Sequence, residues 1–184
     1  MALKRPTKEE LAAAVGQQVP DIIAPGLKVL FCGINPSVYS VVVGHHFARP
    51  GNRFWRTLHA AGFTDHTLSP AEDRALLQLG YGLTNVVERA TVAAADLAPD
   101  ELIEGRRQLE AKVQQYRPEW LAILGIGVYR SAFARPKAAL GLQDERVGGA
   151  RVWILPNPSG LNAHYPPAEL ARLFGELREA IKDG

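Results

Sequence analysis

The chain has 184 residues, 47% of them hydrophobic and 22% charged, with a formal net charge of +2. That length fits one domain with a single sizeable core, and the near-neutral balance argues only weakly for a nucleic-acid partner. The single cysteine, Cys32, excludes an internal disulfide, a four-cysteine iron–sulfur cluster and a zinc ribbon. No apolar run approaches the ~20 residues that span a bilayer. The N-terminal stretch 7–15 is broken by Lys8, Glu9 and Glu10, unlike a secretory leader. A cytoplasmic setting is expected.

Thr7 as N-cap and Glu10 at the capping-box position open a short helix that Pro20 stops. Residues 1–20 therefore read as an N-terminal helical extension to one domain over 21–184. The apolar run VLFCGI (29–34) predicts a buried strand, followed by a loop over 35–51. Asn52 caps a helix, RFWRTLHAAG, with Phe54, Trp55 and Leu58 at helical spacing and Gly62 as its stop. Ser69-Pro70 opens another helix that ends near Gly80. GLTNVV (82–87) predicts a second strand, 88–99 a loop, and 100–116 an amphipathic helix. LAILGI (121–126) is the third strand, 127–133 a short helix, and 135–150, rich in glycine and charge, an irregular stretch. A fourth strand over 151–155 and a helix over 167–182 complete the chain. Strands alternating with helices predict an α/β fold: a three-layer α-β-α arrangement around a central, mostly parallel sheet of four or five strands.

Two of the buried strands end alike. One runs into Asn35-Pro36-Ser37 and the other into Pro156-Asn157-Pro158-Ser159-Gly160-Leu161, proline-stiffened turns that each carry an amide and a hydroxyl. Open α/β sheets bind ligands at the carboxyl ends of their strands. The two turns therefore read as two halves of one site. No GxSxG elbow, GxxxxGK[ST] phosphate loop or HExxH pair occurs. Gly125-Ile126-Gly127 lacks the third glycine of a dinucleotide loop, and His45-His46 lacks a carboxylate at metal-ligand spacing. Cys32 reads as a small buried hydrophobe. Arg49, Arg53 and Arg56, like Arg106 and Arg107, read as solvated helix faces.

Four blocks carry a resemblance: GINPS (33–37), HFARPGNRFWRTLHAAGFT (46–64), GLTNVVERAT (82–91) and PNPSGL (156–161). In order and spacing they resemble the mismatch-specific uracil-DNA glycosylases, the branch of the uracil-DNA glycosylase superfamily that includes thymine-DNA glycosylase. The resemblance implies a monofunctional DNA glycosylase of base-excision repair, hydrolysing uracil from DNA, above all from G·U mispairs. Such an enzyme flips the base into a pocket. It implies that Asn35 holds the attacking water. An amide is not a competent general base, and sister families place an aspartate there; such help is worth ~10²–10⁴ in rate. Asn157 stands where faster relatives carry a histidine that stabilises the departing base.

By the same resemblance Phe47 stacks on the flipped base, while the Ile34 N–H and the Ser40 hydroxyl face its edge, with Asn85 nearby. Leu161 is the wedge that fills the vacated stack, and its neighbours Gly160 and Asn162 bond the orphaned guanine. Asp96, closing the alanine-rich stretch 91–95, is a candidate catalytic assistant; its other reading is the start of a turn. Glu88, followed by Arg89, reads as part of a structural pair. Ser37 replaces a frequent glycine, Val41, Val42 and Val43 replace a smaller stretch, and 162–165 lacks an arginine after the wedge. A weaker grip on the opposite guanine, with some action on single strands, is expected. The expected partner is double-stranded DNA containing uracil or a G·U or G·T mispair. No metal, other cofactor or membrane is expected, and a monomer is the default. No lysine falls in the four blocks, which argues against Schiff-base lyase chemistry. Two other readings stay open: a module that binds mispairs or abasic sites without cutting, and a hydrolase of free nucleosides, for which a wedge has no hole to fill.

Overall fold

The computed structural model describes residues 2–184. The four predicted strands form β1 (Val29–Gly33), β2 (Tyr81–Asn85), β3 (Trp120–Leu124) and β5 (Ala150–Leu155), all mutually parallel. A fifth, β4 (Gly141–Val147), joins antiparallel at the edge, so the sheet order is β2-β1-β3-β5-β4. Every residue of β1, β2 and β3 is buried, as strands covered on both faces require. Six α-helices are α1 (Lys8–Ala13), α2 (Val38–Val43), α3 (Phe54–Ala60), α4 (Pro99–Tyr116), α5 (Ile126–Ala132) and α6 (Pro167–Asp183). The helix expected after Ser69 is a kinked 3₁₀ run, Pro70–Leu79, ended by Gly80 in the left-handed region. The three-layer α/β architecture is the one the sequence predicts.

Side-chain alternation along β1 builds both halves of the core. Phe31 points to one face, where its ring meets Phe54 at 5.6 Å, Phe63 at 5.4 Å and Phe174 at 6.4 Å. Aromatic pairs, edge-to-face with Phe54 and Phe63 and stacked with Phe174, add ~0.5–1.5 kcal/mol each beyond buried area, so Phe31 fastens α3 and α6 to the sheet. Leu30 and Cys32 join the opposite cluster with Leu109 and Val113 of α4 and Tyr129 of α5. Burial pushes the Cys32 thiol far above its ordinary range, so it is inert packing.

Two segments depart from the expected loops. Residues 38–43 are helical although Val41, Val42 and Val43 are poor helix formers. Ser37 supplies the missing stabilisation: its side chain accepts the Ser40 N–H, and Gly44 closes the helix at φ 79°. Residues 141–147 form an edge strand, not an irregular stretch. Gly148 and Gly149, at φ 56° and 94°, make the two-residue turn that pairs Val147 with Ala150. Charges on that strand mark an edge kept from further pairing.

The N-terminal segment is fastened to the domain. Thr7 and Glu10 form the expected capping box. The Gly16 N–H donates to Ala90 O at 2.9 Å, and Ala90 N–H donates to Gln17 O at 2.7 Å. Lys112 of α4 bridges Asp21 and Glu88 and donates to Thr84. Burial alone would pull its pKa down, yet the two carboxylates raise it. Glu88 thus pairs with Lys112, while its neighbour Arg89 pairs with Glu101. No helix among the described residues is long and apolar enough to cross a membrane.

Gly105 brings α4 against the exit of β2: a Cβ there would lie 2.3 Å from the Val86 carbonyl oxygen. Gly105→Ala gains about 1 kcal/mol of helix propensity, whereas overpacking against rigid backbone costs ~1–3 kcal/mol. Thermal and denaturant unfolding should therefore show a net loss of up to ~2 kcal/mol; a higher melting temperature would contradict this packing.

Candidate active site

The parallel register brings Gly33 beside Asn85 and Leu124 beside Leu155, so four strand ends open onto one side of the sheet. There they surround a cavity of about 780 Å³. Asn35, Ile34, Ser40, Phe47, Asn85 and Asn157 all line it, with Leu161 and Asn162 at its rim. Asn35 and Asn85, 50 residues apart, and Asn157, 72 residues beyond Asn85, are thus joined by topology alone.

The Asn35 amide is oriented by groups that admit only one assignment. Its Nδ2 donates to Arg89 O at 3.0 Å and to Thr91 Oγ1 at 2.8 Å. Carbonyls only accept, and the Thr91 hydroxyl proton is itself given to Ala93 O at 2.7 Å. Both Nδ2 protons are used, leaving Oδ1 as an acceptor. Thr91 also forms an isolated parallel bridge with Ser37. Thr91 escaped the sequence reading; only its place at the end of GLTNVVERAT hinted at it.

Asn157 is held the opposite way. Its Oδ1 accepts the Ser159 N–H at 3.0 Å, so Nδ2 is the end left for the cavity. Asn85, only 7% exposed, has no side-chain hydrogen bond among the described residues. Gly33 gives it room: a Cβ there would sit 2.6 Å from Asn85 Oδ1 and 3.3 Å from the Phe47 ring. The cavity thus presents an acceptor, a donor and one amide with both ends unengaged.

Phe47 adopts φ 52°, a strained conformation for a non-glycine residue. Its ring stacks on Phe54 with centroids 4.1 Å apart. The flanking residues hold it there. Ala48 N–H donates to Ser40 Oγ at 3.2 Å, and the His46 ring nitrogen Nε2 lies 2.7 Å from Pro20 O. The Ser40 hydroxyl, expected at a base edge, accepts from Ala48 and from Ser37 and locks this turn. Ile34 O accepts the Val87 N–H at 2.9 Å.

A model of the uracil DNA glycosylase superfamily matches residues 20–178. The chain belongs to that superfamily. One solved structure, of a protein from Methanosarcina acetivorans, has the same fold, with a TM-score of 0.58 and 19% identity. The match covers 89% of this chain and 99% of that one. Membership in the uracil-DNA glycosylase superfamily implies a hydrolase of DNA repair that acts on uracil.

The remaining expected residues lie elsewhere or face inward. Asp96 is exposed and outside the cavity lining; its carboxylate accepts the Ala93 N–H at 3.1 Å and so caps the 3₁₀ turn Ala94–Asp96. Its neighbours Ala95 and Leu97 line the cavity, while its own carboxylate is engaged in that turn. Asn162 turns back into its own loop, donating to Asn157 O at 3.0 Å. Gly160 lies behind the rim, where a Cβ would meet Gly51 O at 2.5 Å. Leu161 is 76% exposed. Arg53, expected on a solvated face, is tied to the carbonyls of 158–165. The adjacent histidines go separate ways, His45 to Asp73 and His46 to Pro20.

Burial lowers the pKa of His46 below its ordinary 6.5, outweighing the Pro20 carbonyl that pulls it up. The Pro20 oxygen can only accept, so the neutral ring carries its proton on Nε2. A depressed folded-state pKa contributes stability that is complete above 6.5 and is lost as pH falls through the folded value. The melting temperature should therefore drop as pH is lowered from 7 through this window, with that component absent from His46→Gln. Parallel pH profiles for the two proteins would exclude His46 as the source.

Proposed function

We propose that this chain is a monofunctional, mismatch-directed uracil-DNA glycosylase acting on double-stranded DNA, with G·U mispairs as its preferred substrate. The observation that carries the proposal is the Asn35 amide. Two obligatory bonds turn its oxygen toward the cavity, where a water must be held by acceptance alone. Water adds to C1′ of deoxyuridine as the bond to N1 of the base breaks, and the bonding pair leaves with uracil. Asn35 Oδ1 positions that water but does not take its proton, since an amide is a poor base; the proton passes to solvent or to the departing uracil anion. Catalysis then leans on placement and on uracil being a tolerable anion.

The pocket chemistry supports uracil. Its edge offers an N–H donor between two carbonyl acceptors, and one amide can serve a neighbouring donor–acceptor pair. Asn85, with both ends unengaged, suits that task, and Phe47 offers a ring for stacking. Asn157 Nδ2 is a neutral donor, a weaker stabiliser of the departing anion than a charged group. Leu161 at the rim is suited to fill the vacated stack, which costs less to open at a mispair. Arg49, exposed beside the cavity, is placed for a backbone phosphate. The inward turn of Asn162 leaves it little reach to an opposite guanine, which supports relaxed partner selection.

Single-turnover excision from G·U, A·U and single-stranded uracil oligonucleotides tests this reading. Asn35→Ala should slow excision by about 10²-fold, the scale of misplacing a reactant, while duplex affinity stays nearly unchanged. Thr91→Ala should slow the chemical step and Thr91→Ser should recover it, because a serine hydroxyl can still accept from Asn35. Asp96→Ala should cleave at nearly the wild-type rate. Tight binding of mispairs with no excision by wild type would turn the assignment to a binding module.

Gly33→Ala offers a second check. A methyl 2.6 Å from Asn85 Oδ1 and 3.3 Å from the Phe47 ring must displace both. Excision should fall more than duplex affinity does, because the base pocket is closed while the DNA-facing rim is intact. Unaltered excision would remove Asn85 and Phe47 from the proposed base contacts.

A further inference from the structure

A wedge can hold open a base stack only if its own backbone does not yield. The loop that bears Leu161 lies between β5 and α6 and has little regular structure of its own; within it, Asn162 N–H reaches Ser159 O at 3.0 Å. The Asn157 and Asn162 side chains brace it from within, Asn157 Oδ1 accepting the Ser159 N–H and Asn162 Nδ2 donating to Asn157 O, and as much support again comes from outside. Arg53, at the N-terminal boundary of α3, places its guanidinium among four carbonyls of that loop. Nε donates to Pro158 O at 3.4 Å, Nη2 to Ser159 O at 3.0 Å and Asn162 O at 2.8 Å, and Nη1 to Tyr165 O. The Arg53 backbone N–H donates to Pro158 O as well, at 3.0 Å. Bonds from a charged donor are shorter and stronger than neutral ones, and the rigid planar fork fixes several acceptors at once.

We propose that Arg53 is the positioning residue that stiffens the Leu161 loop into a wedge, through this ring of carbonyls. The inference rests on the base-extruding function proposed above. Three features of the geometry support it. Arg53 is followed directly by Phe54 and Trp55, both buried, so the loop is tied through it to the packed core. Gly160 closes on Gly51 so tightly that a Cβ would meet its carbonyl at 2.5 Å, which seats the loop against the same segment from a second point. Leu161 itself, held between these anchors, is 76% exposed and has been kept out of the core. A lysine at position 53 could meet one or two of the four carbonyls but not the planar set.

The test is a double-mutant cycle on duplex DNA with 2-aminopurine beside a G·U mispair, which reports base extrusion by fluorescence. Wild type, Arg53→Ala, Arg53→Lys, Leu161→Ala and Arg53→Ala/Leu161→Ala are compared for extrusion, single-turnover excision and melting temperature. Arg53→Ala should reduce extrusion by about tenfold, as Leu161→Ala does, and the double variant should be no worse than either, the mark of two groups acting as one unit. Arg53→Lys should fail to restore extrusion. If Arg53→Ala does not fold, Arg53→Lys and Gly160→Ala attack the same loop and carry the cycle with Leu161→Ala. Additive losses, or a drop in melting temperature with normal extrusion, would reduce Arg53 to a general stabilising role and overturn the proposal. Normal extrusion and excision in Arg53→Ala, beside a defective Leu161→Ala, would overturn it while sparing the functional reading. A wild type that neither extrudes nor excises uracil would sink both.

Discussion

The register of four parallel strands is the constraint on which the site depends. Parallel strands require crossover connections, so their carboxyl ends emerge on one side. Pairing Gly33 with Asn85 and Leu124 with Leu155 sets those ends level. A slip of one residue in β1 would exchange Phe31 with Leu30 and Cys32 between the two core faces. Phe31 sits within an aromatic cluster and Leu30 among aliphatic groups, so neither face accepts the other's side chains. Core packing thereby fixes where Asn35 and Asn85 begin, without any bond between the site's own groups.

From that starting level, the cavity is assembled at some cost to stability. Asn85 is nearly buried and forgoes a protein hydrogen bond worth ~0.5–1.5 kcal/mol, though its amide atoms reach the cavity, where solvent or a ligand can meet them. Phe47 holds a strained φ, a further ~1–3 kcal/mol that the stack on Phe54 and the bonds at His46 and Ala48 offset. Neither arrangement helps folding. Both make sense as a preformed surface for a planar, hydrogen-bonding ligand, the role proposed for them. The same economy marks Asn35, whose two donor bonds give up adaptability for one fixed direction.

How much of this was legible in the sequence follows from the range of each signal. Period and composition located β1, β3, β5 and the long helices, because burial on both faces leaves continuous apolar runs. They missed α2, a six-residue helix with three valines that the Ser37 cap starts, and β4, whose alternating charges hid an edge strand. The Gly148-Gly149 pair was the available clue to that hairpin. Asn35 and Asn157 were visible because each follows a buried strand. Thr91 and Arg53 were not, since a hydroxyl 56 residues from its partner amide and a guanidinium 105 to 112 residues from its carbonyls have no local signature. Asp96 misled for the converse reason: nearness along the chain to an alanine-rich loop suggested reach, whereas its carboxylate is used by its own turn.

The distribution of charge bears on how such a protein would choose its target. Net charge is only +2, and several arginines are engaged internally: Arg53 with carbonyls, Arg89 with Glu101, Arg135 with Glu145 and Arg172 with Glu169 and Glu176. Counterion release scales with the phosphates neutralised, so a chain of near-neutral balance gains less sequence-independent affinity than a strongly basic one. On the proposed reading, the deficit must be met at the wedge and in the pocket. These contacts form only after a base has left the stack, and mispaired bases leave more readily. Weak electrostatic grip is then not a defect but the source of selectivity: a surface that held every duplex tightly would bury the few kcal/mol that separate a G·U mispair from a normal pair.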